Sequence, residues 1–209
     1  MSNESKGTTL ASRSKTIRLA QLGMLVAILI ILDLTGIGLI RTPLTAFTIM
    51  HVPVIIGAIT LGPAAGAFLG GTFGVISMLE ATFKPSGVSD MAFSPFLSGN
   101  PIGSLIMCIG CRILLGLAAG LLFKYISKLD KTNVVAAVVS SAVATLIHTF
   151  TVLCSLWLFF PELGLSFKAV LGAIAALNFP IELITAVIFA IAFAKVIPVI
   201  TKRTSRKSA

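Results

Sequence analysis

Six apolar runs, parted by short polar or broken stretches, fill the sequence from residue 17 to residue 197. Nothing else constrains this chain as much. A run of ~20 apolar residues crosses a bilayer as a helix, because hydrocarbon leaves every backbone N–H and C=O to be satisfied within the segment. The runs cover residues 17–38, 51–61, 64–83, 101–123, 134–159 and 167–197. Only 11% of the residues are charged, against about 25% in a soluble domain. The expected fold class is therefore an all-α integral membrane protein, a compact bundle of six transmembrane helices with cytoplasmic N- and C-termini. The chain reads as one membrane domain: residues 1–16 a cytoplasmic tail, 17–198 the bundle and 199–209 a basic cytoplasmic tail.

Charge sets the orientation. The net charge of +9 sits mostly in the N-terminal tail, the loop at 124–131 and the C-terminal tail, leaving Arg41, Lys84 and Lys168 for the outside. Basic residues that flank apolar spans orient a membrane protein and do not call for nucleic acid. The basic start followed by an apolar run resembles a signal peptide. That run is long, carries Asp33 and lacks a small-residue cleavage site, so it is expected to stay as the first span.

Gly62, Gly66, Gly70 and Gly74 recur every four residues behind Pro63. Such a row lies along one side of a helix and admits a close neighbour, and Pro63 suits the first helical turn. The second span is expected to end at Leu61, with a tight turn and an immediate departure of the third. Gly116 and Gly120 form another small-residue pair in the fourth span. Residues 84–100 form the longest irregular stretch between spans and carry Met91, Phe93 and Phe96. A loop that folds back over a cavity needs such side chains; a solvated linker does not.

Cys108 and Cys111 form a C-x-x-C, but inside an apolar run with no second pair, so they read as small buried residues. No metal or cofactor signature is present. Walker A, H-E-x-x-H and G-x-S-x-G sequences are all missing, which argues against an ATP site, a metalloprotease and a nucleophile turn.

Ionisable groups within spans are costly and mark candidate sites. Here they are Asp33, Glu80, Arg112, His148 and Glu182, joined by the polar Asn178. Arg112, His148 and Asn178 each stand 11 residues from the outer end of their span. At the helical rise that is roughly 16 Å deep, so three helices bring polar groups to one level. Arg112 suits an anionic ligand; Glu182 is expected to pair with it structurally. Asp33 and Glu80 lie near outer helix ends, where solvation accounts for them. His51 opens the second span as a cap, and Trp157 sits at the outer boundary, an interfacial anchor first and a cavity wall second.

The run H-V-P-V-I-I-G-A-I-T-L-G-P-A-A-G-A-F-L-G-G, the small residues of the first span and the six short spans together are similar to the substrate-binding S component of energy-coupling factor (ECF) vitamin transporters. The resemblance covers residues 18–198. The F-S-P-F at Phe93 to Phe96 looks most like the pantothenate-specific branch. The resemblance implies a vitamin held at the extracellular side, association with a transmembrane coupling subunit and two cytoplasmic ATPases, and toppling in the bilayer to carry the ligand inward. It implies no enzymatic activity. The family's Ala-x-x-x-Ala coupling motif falls on Gly23-x-x-x-Ala27, with Ala20 one turn earlier. The family's ligand region falls on Phe47 and Thr48, on Phe93, Phe96 and Asn100, and on Arg112, His148, Trp157 and Asn178. In this picture Arg112 takes a carboxylate, Asn178, His148 and Asn100 serve neutral polar groups, and the phenylalanines exclude water. Riboflavin, folate, pyridoxine or hydroxymethylpyrimidine are alternative ligands, although few polar groups and no aromatic cage favour a small one. Two other classes stay open: an independent carrier using Glu182 or His148 as its proton site, and an intramembrane enzyme using them as acid and base.

Overall fold

A computed structural model describes residues 2–41, 46–85, 88–130, 132–161, 172, 180 and 182–193. The long first helix α1 (Ser2–Leu34) leads into a small antiparallel hairpin, β1 (Leu39–Arg41) and β2 (Ala46–Thr48). Then come α2 (His51–Leu61), α3 (Pro63–Phe83) and a single turn α4 (Val88–Met91). Next are α5 (Pro101–Leu105), a π turn (Ile106–Gly110) and α6 (Cys111–Ile126), which run on as one span, Pro101–Ile126. The helix α7 (Val134–Phe159) follows, and α8 (Glu182–Phe193) closes the described chain.

Among the described residues four helical segments are long and apolar enough to cross a membrane: Lys15–Leu34, Pro63–Phe83, Pro101–Ile126 and Val134–Phe159. His51–Leu61 and Glu182–Phe193 are shorter apolar helices. The described chain is helical as expected, with one small hairpin in the connection between α1 and α2, where Ile49 N–H reaches Gly38 O. The apolar span begins at Lys15, close to the expected residue 17, and the helix continues back to Ser2 because the polar tail has no proline to stop it.

The turn at Gly62 forms as expected. α2 ends at Leu61, Gly62 takes φ +98°, and Pro63 opens α3. Only glycine adopts that backbone without strain. The close neighbour that the glycine row admits is chiefly the α5–α6 span, antiparallel and backbone to backbone, and Gly66 also meets α2. A Cβ at Gly66 would stand 2.5 Å from Gly116 O and 2.6 Å from Ala58 Cβ, and one at Gly74 would stand 2.5 Å from Cys108 O. A Cβ at Gly120 would fall 2.5 Å from Pro63 Cα. Gly70 lies in the same way against the Arg112 carbonyl. The two small-residue rows that the sequence displays thus meet each other.

Helix α2 is apolar on all sides and almost wholly buried, as a central helix should be. Its Val54, Ile55 and Ala58 join Leu29, Met50, Leu69, Phe73, Leu115, Ala144 and Ala186 in one core. A second, smaller cluster of Ala92, Met107 and Phe160, flanked by Phe93 and Phe159, lies beneath the 88–100 loop. α1 buries Leu29 but leaves Ala20, Gly23 and Ala27 exposed, and nothing stands within 4 Å of a Cβ at Gly23.

Candidate functional site

Arg112 follows the π turn. The wider turn offers its carbonyls back along the helix, and Arg112 Nη1 donates to Met107 O at 3.2 Å and Cys108 O at 2.9 Å. Single π turns within helices are often found at functional sites. Gly74 makes room for that turn, because any side chain there would strike Cys108 O. The guanidinium carbon lies 4.7 Å over the Phe73 ring and 5.5 Å from the Phe93 ring. Each such contact is worth about 0.5–2 kcal/mol when dry. Arg112 is buried, and its Nε has no partner among the described residues.

His148, on α7, also neighbours Phe73, the two ring centroids 6.4 Å apart and tilted by 43°. Its Nε2 is buried with no hydrogen-bond partner among the described residues, as is Thr145 Oγ1; Thr149, on the same helical face, interacts with the Glu182 carboxylate. His51, at the start of α2, is 1% exposed; its Nε2 lies 3.1 Å from Glu182 O and its Nδ1 has no described partner. Glu182 Oε1 accepts from the Thr48 backbone N–H at 3.4 Å. Arg112 interacts electrostatically with Glu182 and with His148, and His148 with His51. Five elements therefore bring donors and acceptors to one buried region: β2, α2, α6, α7 and α8. Buried polar atoms usually have partners, so a cluster that lacks them is a site waiting for some.

Above this region the 88–100 loop is pinned. Ser104, fully buried, donates to Ala92 O at 2.6 Å and lies 2.7 Å from Ser98 Oγ. Thr82 and Ser94 hydroxyls meet at 2.8 Å, and Cys108 Sγ donates to Phe93 O at 3.0 Å. Asn100 accepts from Gly103 N–H and donates to Phe159 O at 3.2 Å, which caps α5 and ties it to the end of α7.

Arg112, His148 and Phe93 come together as the sequence suggests, and Thr48 reaches the same region through Glu182. Asn100 is engaged in capping. Phe96 is 78% exposed, and Trp157 is 48% exposed, half a helical turn around from the His148 face. The Phe47 side chain and Asn178 lie outside the described residues. Arg112 and Glu182 attract each other, as expected, but make no direct ion-pair contact among the described residues; the carboxylate lies 3.4 Å from the Thr48 amide. The buried cysteines are free and packed, as read. Asp33 departs from simple solvation, since its Oδ1 is buried without a described partner. Phe73, Thr145 and Thr149 were missed. Phe73 had a signal: it sits between Gly70 and Gly74, on the helix that comes closest to Arg112.

This is a helical membrane protein with a buried cluster of polar and aromatic side chains around Arg112. The family model for the substrate-specific component of ECF transporters matches residues 17–200, and the chain belongs to that family. It is thus a transporter component, a multi-pass membrane protein that works with other parts of an ECF transporter. It is 36% identical over 200 residues to the pantothenic acid transporter PanT of Lactococcus lactis subsp. cremoris (strain MG1363), an overlap of 91% of this chain and 96% of that protein.

Proposed function

We propose that the chain captures pantothenate at the outer face of a bacterial plasma membrane and delivers it inward as the S component of an ATP-driven ECF transporter. The likeness to PanT supports the ligand. The observation that carries the site is Arg112: a buried guanidinium held by two carbonyls and two phenyl rings, its Nε without a partner among the described residues. A cation kept dry in this way favours an anionic partner, and the vitamin's carboxylate supplies one. His148, Thr145 and Thr149 serve the amide, while Phe73 and Phe93 cover the dimethyl group. Asn178, Phe47 and Thr48 are proposed as further ligand contacts on the family resemblance, and Phe96, Asn100 and Trp157 belong to the rim.

In this reading residues 1–209 form one membrane domain of six spans with both ends in the cytoplasm. The chain does no chemistry of its own. Its exposed face at Ala20, Gly23 and Ala27 docks a transmembrane coupling subunit, which connects to two cytoplasmic ATPases. Titration of the purified chain with pantothenate tests the ligand, together with mass spectrometry of what co-purifies. Binding in the wild type and at least a 30-fold loss in Arg112→Gln is expected. Unchanged affinity in the variant removes Arg112 from the site.

A further inference from the structure

Helix α2 begins at His51, in the polar region, and ends at Leu61, on the wall of a second hollow about 15 Å further along. This groove lies between α1, the α2–α3 turn and the end of α6. Its volume is about 530 Å³, within the ~300–1,000 Å³ of small-molecule sites. Leu61, Pro63 and Phe123 give it an apolar wall, Ser127 a hydroxyl, and Arg18 and Lys124 two cations. No carboxylate is among the described residues that line it. Arg18 Nη2 donates to Leu61 O at 2.7 Å, which fixes the guanidinium on the wall. Neither Arg18 nor Lys124 has an acidic partner among the described residues.

Both cations stand where apolar spans stop. Arg18 is one turn inside the Lys15 end of Lys15–Leu34, and Lys124 is in the last turn of α6. That is the depth of lipid headgroups, and basic hollows between helices at this level suit anionic ones. Helix α1 packs on α2 and α3 but scarcely touches α6. A phosphate bridges that gap well, because Arg18 offers a planar fork and Lys124 a point charge. We propose that the groove holds the headgroup of an anionic phospholipid of the inner leaflet, its phosphate between Arg18 and Lys124. Free phosphate shares the charge but leaves the apolar wall bare, which the glycerol and first methylenes of a lipid cover. A zwitterionic lipid brings a cation of its own toward Arg18 and Lys124 and is disfavoured. Ala20, Gly23 and Ala27 fall about half a helical turn around α1 from Arg18, so the lipid leaves that face open.

Native mass spectrometry of the full chain, released from mixed micelles of phosphatidylglycerol and phosphatidylcholine in equal amounts, reads the lipid retained. Micelles have no leaflets and the vitamin is not part of the readout, so the result stands apart from the orientation and from the pantothenate reading. The wild type should keep phosphatidylglycerol about 25-fold over phosphatidylcholine, and Arg18→Gln or Lys124→Gln should each lower that preference about fivefold. Lys124 is exposed, so its variant keeps the fold, and a melting temperature taken without added lipid checks both. Lys15→Gln combined with Lys128→Gln removes the same charge from outside the groove and should leave the preference within about twofold. An unselective wild type overturns the proposal, and so does a control pair that loses as much as Arg18→Gln with Lys124→Gln. Inorganic phosphate in excess should not displace the lipid; if it does so completely, the groove is a site for free phosphate and the lipid assignment fails. If Arg18→Gln with Lys124→Gln keeps its lipid but no longer co-purifies with a coupling subunit, the groove belongs to a protein partner and the proposal falls.

Discussion

A single methyl group at Gly74 should loosen the hold on Arg112 from the far side of the seam. In Gly74→Ala the new Cβ would lie 2.5 Å from Cys108 O and 2.9 Å from Ile109 Cα. Ordinary contact begins near 3.4 Å, so the π turn must retreat by about 0.9 Å. Both obstacles are backbone, and no rotamer can relieve them. Overpacking of this kind costs about 1–3 kcal/mol, while alanine gains up to ~1 kcal/mol of helix propensity over glycine. Net destabilisation should be about 1–2 kcal/mol. Binding should suffer as well, because Cys108 O is also the acceptor 2.9 Å from Arg112 Nη1. A hydrogen bond to a charged group is worth about 1.5–3 kcal/mol, so losing half of it weakens affinity roughly tenfold. Gly71→Ala is the control: its Cβ would touch only Ile113, at 3.6 Å. Thermal unfolding in detergent and ligand titration read both effects. If Gly74→Ala matches Gly71→Ala in stability and affinity, the seam does not govern the guanidinium and the reasoning fails.

Other perturbations probe separate links. Ala27→Trp puts an indole on the exposed small face of α1; co-purification with a coupling subunit should drop at least tenfold while vitamin affinity stays within twofold. Vesicles holding this chain alone should bind pantothenate without accumulating it, and uptake should appear only when the coupling subunit, both ATPases and ATP are added; gradient-driven uptake by the chain alone would refute the shared-energy scheme. Ser104→Ala removes the hub of the 88–100 loop and should speed ligand release about tenfold in a stopped-flow chase. Asp130, at the mouth of α7, accepts from Thr132 and Ala136, and those bonds hold its carboxyl below the usual carboxylate range. Its stabilisation is whole above the ordinary value of 3.8 and fades as pH falls through the depressed one. Acid titration of the melting temperature should therefore show a low-pH decline that Asp130→Asn lacks.

Much of the fold was legible because lipid leaves a chain few options. The apolar runs placed α2, α3, the Pro101–Ile126 span and α7 within a few residues, and Gly62 with Pro63 marked the sharpest turn. The three-residue strands were not legible, since so short a run has no period to read. The π turn left no mark either. It is a local widening that Gly74 permits from another helix. In the site, Arg112 and His148 stood out because burying them is costly. Phe93 and Phe96 could not be told apart, since the Ser104 network decides which ring faces inward. Glu182 was assigned to Arg112 by charge, and that attraction holds, but no charge pattern shows the hairpin amide that also reaches it.

The α3–α6 seam has no side chains in it at Gly66, Gly70 and Gly116, only main chain against main chain. Main-chain atoms have no alternative rotamers to yield, so these two helices behave as a single stiff board. Whatever shape change admits or discharges the cargo has to hinge on pieces mounted at the board's edges, such as the short hairpin whose Thr48 amide reaches Glu182.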